Sequence, residues 1–218
     1  MTTTHDDERS RTVEDALAVL RREGVDTIRW SVEARVDKFT AAQEAEAILI
    51  AEAEGRPVGE ILLERFTPYA TVDAPGNLLT RQGRKRLIDR LVDTASNQAL
   101  DASHLRIGVG NGNTSAADTD TDLAASAGSG NRQFKLADGA AAVGTGSNSG
   151  VMTVVATFGT GVANFAWEEW AIDGGTGDGT TVTSEGNTTP GIINRKVTSL
   201  GTKSAAAAWV FTVTITLA

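Results

Sequence analysis

The sequence predicts an α+β N-terminal part, with helices and one or two strands, followed by an all-β C-terminal domain of the β-sandwich or jelly-roll type. Residues 209–217 alternate between large apolar side chains and mostly threonines, which is typical of a strand with one buried face. Residues 1–100 hold 14 of the 20 Lys and Arg, whereas residues 101–218 hold 18 of the 23 glycines. This shift in composition predicts an N-terminal region at 1–76 and a C-terminal domain at 77–218.

The N-terminal region predicts two helices with a strand between them. Residues 12–23 follow a threonine cap and carry apolar side chains at helical spacing. Residues 28–36 alternate between apolar and polar side chains, so they predict a half-buried strand. Thr40 and Gln43 form a capping box, which starts an Ala-rich and Glu-rich helix that ends at Gly55.

The segment 60–72 leaves two alternatives open. Its apolar residues, interrupted by Pro68, fit an edge strand or two short strands, whereas a short helix over 59–66 also fits. The C-terminal domain then begins with an amphipathic helix over 80–94, for which Thr80 is the predicted cap.

The outer side of this helix is basic. A run of charge is usually a solvated helix face, but it also suits docking to an acidic partner. The candidate interface residues on this face are Arg81, Arg84, Lys85 and Arg86.

Short strands separated by Gly, Asn, Asp and Ser clusters predict the sandwich itself. The predicted strands are 104–110, 132–137, 151–158, 163–172, 192–199 and 207–217. The loops between them are long, since connections of about 4–6 residues are the median in compact domains. We therefore expect these loops to be either disordered or packed against another chain.

Composition excludes several classes of function. The chain has no cysteine, which leaves no disulfide and no thiolate metal site. Its net charge of −8 and pI of about 4.8 argue against a general nucleic-acid binder. No segment approaches the roughly 20 apolar residues that span a bilayer, and the start is polar. We expect a protein made in the cytoplasm, without a membrane or nucleic-acid partner.

Three acids at alternate positions suggest calcium. Asp118, Asp120 and Asp122 have the spacing of the first ligands in a calcium loop. However, Leu123 stands where an EF-hand needs glycine, and Ser129 stands where it needs glutamate. A solvated loop is the favoured interpretation, and a weak calcium site between loops is the alternative.

Two adjacent acids raise the question of acid/base catalysis. Glu168 and Glu169 lie in a predicted strand, where neighbouring side chains point to opposite faces, so they cannot form one catalytic pair. A polysaccharide depolymerase would need one of them to face a distant acid such as Glu185 or Asp178 across a cleft. No pair is selected by the sequence.

The same strand carries Trp167 and Trp170. Large aromatic residues dominate cores and interfaces, so we expect one of the two in the core and the other at an edge or subunit contact. Both are candidate interface residues.

Other catalytic or cofactor patterns are weak. The two histidines, His5 and His104, come with no nucleophile elbow, and the glycines at 108–112 lack the helix start that a dinucleotide loop requires. We predict no catalytic residue, cofactor or metal, and hence no enzyme.

Several blocks of sequence resemble accessory virion proteins of tailed bacteriophages, a group that includes head decoration, head fibre and tail fibre proteins. The blocks are Asn77-Leu78-Leu79 with Gly83, Ile107–Gly110, Thr119–Leu123, Phe158-Gly159, Ala163–Trp170, Asn194–Val197 and Leu200–Lys203. The resemblance covers roughly residues 76–218 and, more loosely, the predicted strand at 30–38.

The resemblance implies a structural protein of the virion, synthesised in the host cytoplasm. The leading expectation is a capsid decoration protein that binds the major capsid protein on the outer head shell as a homo-oligomer, for which a trimer is one arrangement. The first alternative is a minor tail or tail-fibre protein that contacts a receptor or glycan through loops 111–117 and 173–191. A depolymerase is the less favoured alternative.

Arg195 and Lys196 complete the candidate interface. They are adjacent in a predicted strand, so one can face water or an acidic neighbouring subunit while the other reaches a partner at the strand edge. The N-terminal region would then be the anchor, and a fragment of residues 77–218 should fold but fail to join capsids.

Overall fold

The computed structural model describes residues 29–91, 100–175, 177–182 and 191–218. The strands are β1 (Trp30–Thr40), β2 (Ala70–Asp73), β3 (Leu78–Leu79), β4 (Arg106–Gly110), β5 (Arg132–Leu136), β6 (Ala142–Val143), β7 (Val151–Phe158), β8 (Ala166–Asp173), β9 (Asn194–Thr202) and β10 (Ala207–Leu217). The helices are α1 (Ala41–Glu54), α2 (Val58–Arg65) and α3 (Arg81–Leu91). Among the described helices, none is both long and apolar enough to cross a lipid bilayer.

The strands form two five-stranded antiparallel sheets. Sheet A has the order β2-β1-β10-β7-β6, and sheet B has the order β3-β9-β8-β4-β5. The prediction of a β-rich fold is confirmed. The predicted division at residue 76 is not confirmed, because β1 pairs with β10 along its whole length, from Trp30 opposite Leu217 to Thr40 opposite Ala207.

The core lies between the two sheets and is rich in aromatic residues. The alternation of β10 turns Trp209 and Phe211 inward, as its sequence predicts. Trp167 meets Trp209 edge to face at 4.7 Å between ring centroids, and it meets Phe158 in the same way at 4.7 Å. Such contacts add to the free energy gained by burying these large side chains.

Helices α1 and α2 cover part of the outer face of sheet A. The predicted capping box is present, since Thr40 Oγ1 accepts from Gln43 N at 3.3 Å and Gln43 Oε1 accepts from Thr40 N at 2.9 Å. Gly55 ends α1 in the left-handed region at φ 65°. The cluster beneath the two helices contains Phe39, Ala47, Ala51, Ile61, Leu62, Ala208 and Val210.

The uncertain segment 60–72 is helical first and extended later. The short-helix alternative is correct for its first part, which lies in α2, and the strand alternative is correct for β2. Thr80 caps α3 as predicted, with Gly83 N donating to Thr80 Oγ1 at 3.0 Å. The predicted helix at 12–23 and residues 92–94 lie outside the described part of the chain.

The six strands predicted after residue 100 are all present, with shifts of one to three residues at several ends. The two-residue strands β3 and β6 were not predicted, because such short pairings carry no periodicity.

Candidate functional site

The exposed side of α3 is tied to the loop 111–131. Arg81 and Arg84 both donate to Asp118 Oδ2, at 3.2 and 3.0 Å. These hydrogen bonds lower the pKa of the Asp118 carboxyl. Lys85 pairs with Asp89 one turn further on. The side chains of Arg81, Arg84 and Lys85 remain 66, 49 and 56% exposed, so they are available to a partner.

Arg86 does not lie on this surface, contrary to the prediction. It is 6% exposed and packs against Gly174, and burial lowers the pKa of its guanidinium. Arg86 follows Gly83 by three residues, and both belong to the side of α3 that faces the sandwich. A buried arginine of this kind cannot be an interface residue of the folded chain.

Trp167 and Trp170 are also buried rather than divided between core and surface. Each is 0% exposed. The pairing of β8 with β9 changes register between Trp167 and Glu169. A bulge of this kind interrupts the alternation of side chains, so two tryptophans three residues apart both reach the core. Neither is a surface contact for another subunit.

Arg195 fastens the loop 111–131 to the outer face of sheet B. Its side chain is 2% exposed and makes three contacts. Nε donates to Glu169 Oε2 at 2.7 Å, Nη1 donates to Asp120 Oδ2 at 2.7 Å, and Nη2 donates to the Thr114 carbonyl at 2.8 Å. The predicted role of Arg195 at a subunit contact is therefore wrong, because all its donors face its own chain.

Lys196 is half-buried and lines an open groove with Asn77 and Leu78. It is the residue of the predicted pair that remains within reach of a partner. Its neighbour in the same strand, Arg195, is the buried one.

Glu169 is the buried counterpart of Arg195. The carboxylate is 0% exposed and also accepts from Ala124 N at 3.0 Å and from Ala125 N at 2.7 Å. Glu168 instead accepts from Ser199 Oγ at 3.0 Å. The two adjacent carboxylates thus have separate partners and form no acid/base pair.

The three alternating aspartates bind arginines. Asp120 binds Arg195, and Asp122 binds Arg132 Nη1 at 2.9 Å, while Asp118 binds α3 as described. No group of three or more potential metal ligands occurs within the described residues. The alternating acids therefore hold one loop at three points.

A second loop, following β8, is held in the same way. Arg106 binds Asp173 and donates to the carbonyls of Gly177 and Thr181, at 3.3 and 3.0 Å. Arg132 Nε donates to the Thr180 carbonyl at 2.5 Å. A small apolar cluster of Leu123, Phe134, Ala171 and Ile192 lies beneath the two loops. In their described parts the two loops are packed on their own sheet, whereas we expected the long loops to be either disordered or packed against another chain.

The side chain of Lys203, which precedes the last strand, is buried. It is 1% exposed and donates to Gly159 O, Val162 O and Asn164 Oδ1, at 2.7, 2.9 and 3.0 Å. Burial lowers the pKa of Lys203 to about 8, although Glu44 lies near enough to oppose the shift. The ammonium group holds the 159–164 connection against the start of β10.

The stability of the fold should depend on pH through Lys203. Between pH 8 and the ordinary lysine pKa of about 10.4, the unfolded chain binds more protons than the folded one. The free energy of unfolding contributed by Lys203 therefore rises with pH across this window, by at most about 1.4 kcal/mol per pH unit. Urea unfolding of the wild type and of Lys203→Met at pH 7, 8, 9 and 10 measures how the free energy of unfolding changes with pH. Equal slopes of that free energy against pH for the two proteins would contradict the prediction.

A cleft of about 380 Å³ lies between the helical hairpin and the sheets, and two acids line it. Glu44 accepts from Thr160 N at 3.1 Å, and Asp138 accepts from Thr157 N at 2.9 Å. Burial raises the pKa of Asp138. Sequence reasoning missed both acids, since they lie 94 positions apart in the chain. Glu44 supports the turn after β7, and Asp138 ties the connection after β5 to the end of β7, each through a backbone N–H.

An apolar cavity of about 280 Å³ opens beneath α3. Leu87, Trp30, Met152 and Leu217 line it, together with the stem of Arg86. Its walls offer packing surface and almost no hydrogen-bonding groups, so the cavity carries no evident chemistry.

Two large apolar side chains stand out on the surface of the helices. Leu49 on α1 is 68% exposed, and Ile88 on α3 is 58% exposed. Sequence reasoning missed this surface, because α1 carries apolar residues on both sides and only one side is covered.

The described residues thus present buried charged pairs that hold loops, and exposed helix faces that carry unpaired apolar side chains. These are features of packing and association. Comparison of the whole chain with models of known protein families, with curated proteins and with solved structures finds no match.

Proposed function

We propose that this chain is a structural accessory protein of a tailed-phage virion and that it decorates the outer shell of the capsid. The resemblance of its sequence blocks to such virion proteins motivates the proposal. One structural observation supports it, namely that the resembling blocks coincide with the contacts that hold the loops in place.

Two pairs of blocks illustrate this observation. Thr119–Leu123 supplies Asp120, and Asn194–Val197 supplies Arg195, and these two side chains meet at 2.7 Å. In the same way, Lys203 belongs to one block and donates to Gly159 of another. Contacts of this kind specify a rigid shape, which is the requirement for a protein that binds by surface complementarity.

The partner in this proposal is the major capsid protein, and the protein acts as a homo-oligomer. The chain needs no cofactor for this role. A tail location with receptor or glycan contact is the alternative, and the experiment below distinguishes the two.

Purified protein is expected to bind expanded, empty capsids and to add density at repeated lattice positions. Titration of capsids with the protein until binding saturates measures the binding. Imaging of the saturated particles then locates the added density. Tails from the same phage serve as the control surface. Binding to tails without binding to capsids would reject decoration in favour of the tail-protein alternative.

A further inference from the structure

We propose that the exposed face of α1 in one copy binds the exposed face of α3 in a second copy, so that copies associate head to tail. This contact would join the copies of the homo-oligomer in the proposed function, on which the inference rests. Its test does not depend on capsid binding. The two faces have opposite charge, and each carries one large exposed apolar side chain.

The α1 face is a second apolar stripe on a helix whose first stripe is already buried. Ala47 and Ala51 pack on sheet A. Ala42, Ala45 and Leu49 recur at intervals of three and four residues on the other side, where all three are exposed. Small alanines allow another helix to approach closely, and Leu49 provides a large side chain to bury.

The α1 face is also acidic. Glu46 and Glu52 flank Leu49 and have no ion-pair partner among the described residues. By contrast, Glu54 and Glu60 in the same hairpin are paired with Arg56. Two α1 faces brought together would place these unpaired glutamates against each other, which disfavours a symmetric α1–α1 contact.

The α3 face has the opposite charge and a matching apolar residue. Arg81, Arg84 and Ile88 recur at intervals of three and four residues along its exposed side. The two arginines share one carboxylate, Asp118, so a positive charge remains for an acidic partner. If Ile88 lies opposite Leu49 in the contact, both large apolar side chains are buried. The glutamates of the α1 face and the arginines of the α3 face then surround them as pairs of opposite charge.

The two faces cannot meet within one chain. Helix α1 begins beside the start of β10, where Ala41 N donates to Ala206 O at 3.0 Å. Helix α3 lies at the other end of β10, since Leu87 and Leu217 line the same cavity. A strand of eleven residues separates these ends by roughly 35 Å. A contact between two different faces is heterologous, and it forms a closed ring if its rotation closes.

Two single substitutions test the contact by light scattering after size-exclusion chromatography of the full chain. Leu49→Asp should break the α1 face, and Ile88→Asp should break the α3 face. Each is expected to weaken self-association by about tenfold or more, because it replaces the large apolar side chain at the centre of the contact with a charged one. Val143→Asp is the matched control, since Val143 is 65% exposed on β6 and lies outside both faces.

The mixture of the two variants is the decisive sample. Leu49→Asp keeps an intact α3 face and Ile88→Asp keeps an intact α1 face, so an equimolar mixture should form dimers and nothing larger. Circular dichroism of each variant checks that the fold is retained. A wild type that stays monomeric at high concentration, or an Ile88→Asp variant that assembles as the wild type does, would overturn the contact. Capsid binding by a monomeric wild type would leave the proposed function standing.

Discussion

Glu169→Gln is expected to lower the free energy of unfolding by about 3 kcal/mol, because it leaves the buried Arg195 guanidinium without its full counter-charge. Glu169 is 0% exposed and also accepts two backbone N–H groups of the loop 111–131, so the loop should loosen with it. Urea unfolding followed by tryptophan fluorescence at pH 7 measures the loss.

The adjacent residue supplies the control. Glu168→Gln removes the same charge from a half-buried side chain with a single hydroxyl partner, and should change stability by no more than about 0.5 kcal/mol. Adding Arg195→Met to Glu169→Gln should cost less than the sum of the two single changes, since the second removes the orphaned charge. Equal losses for Glu168→Gln and Glu169→Gln would contradict the assignment of Glu169 as an internal ion pair.

A fragment of residues 77–218 is expected not to fold, which reverses the expectation from the sequence alone. The fragment lacks β1, so one whole edge of β10 loses its backbone partner. The inward side chains of β10 also lose the β1 side chains beside them. We expect no cooperative unfolding transition and strong binding of a dye specific for exposed apolar surface.

Complementation provides the control for this fragment. Supplying residues 29–76 as a separate polypeptide should restore a cooperative transition, because it returns β1, β2 and the helical hairpin. A fragment 77–218 that unfolds cooperatively without its complement would show that β10 does not depend on β1.

Most of the strands and helices could be predicted from local patterns in the sequence. The pairing between strands that are distant in the chain could not. The alternation of β1 and β10, and both caps of α1, are visible in single segments of the sequence. The Gly, Asn, Asp and Ser clusters likewise mark the ends of the longer strands after residue 100. The partnership of β1 with β10 joins residues 187 positions apart, such as Trp30 and Leu217. No single segment carries that information, and the predicted domain division followed from its absence.

The candidate interface was predicted only in part, because distant parts of the chain decide which of its residues are buried. Arg81, Arg84 and Lys85 are exposed as expected, because helical spacing alone identifies the outer side. Arg195 looked like a surface cation, yet its partner Asp120 lies 75 positions away and buries it. Leu49 was overlooked, since only the tertiary fold shows which stripe of α1 is covered.

The position of β10 at the centre of sheet A has a consequence for synthesis in the cell. Among the described strands and helices this strand comes last in chain order, so it leaves the ribosome after β1 and β7, which both pair with it. Until it emerges, both strands present open edges and an uncovered aromatic core. Sheet A is therefore completed only after translation has passed β10.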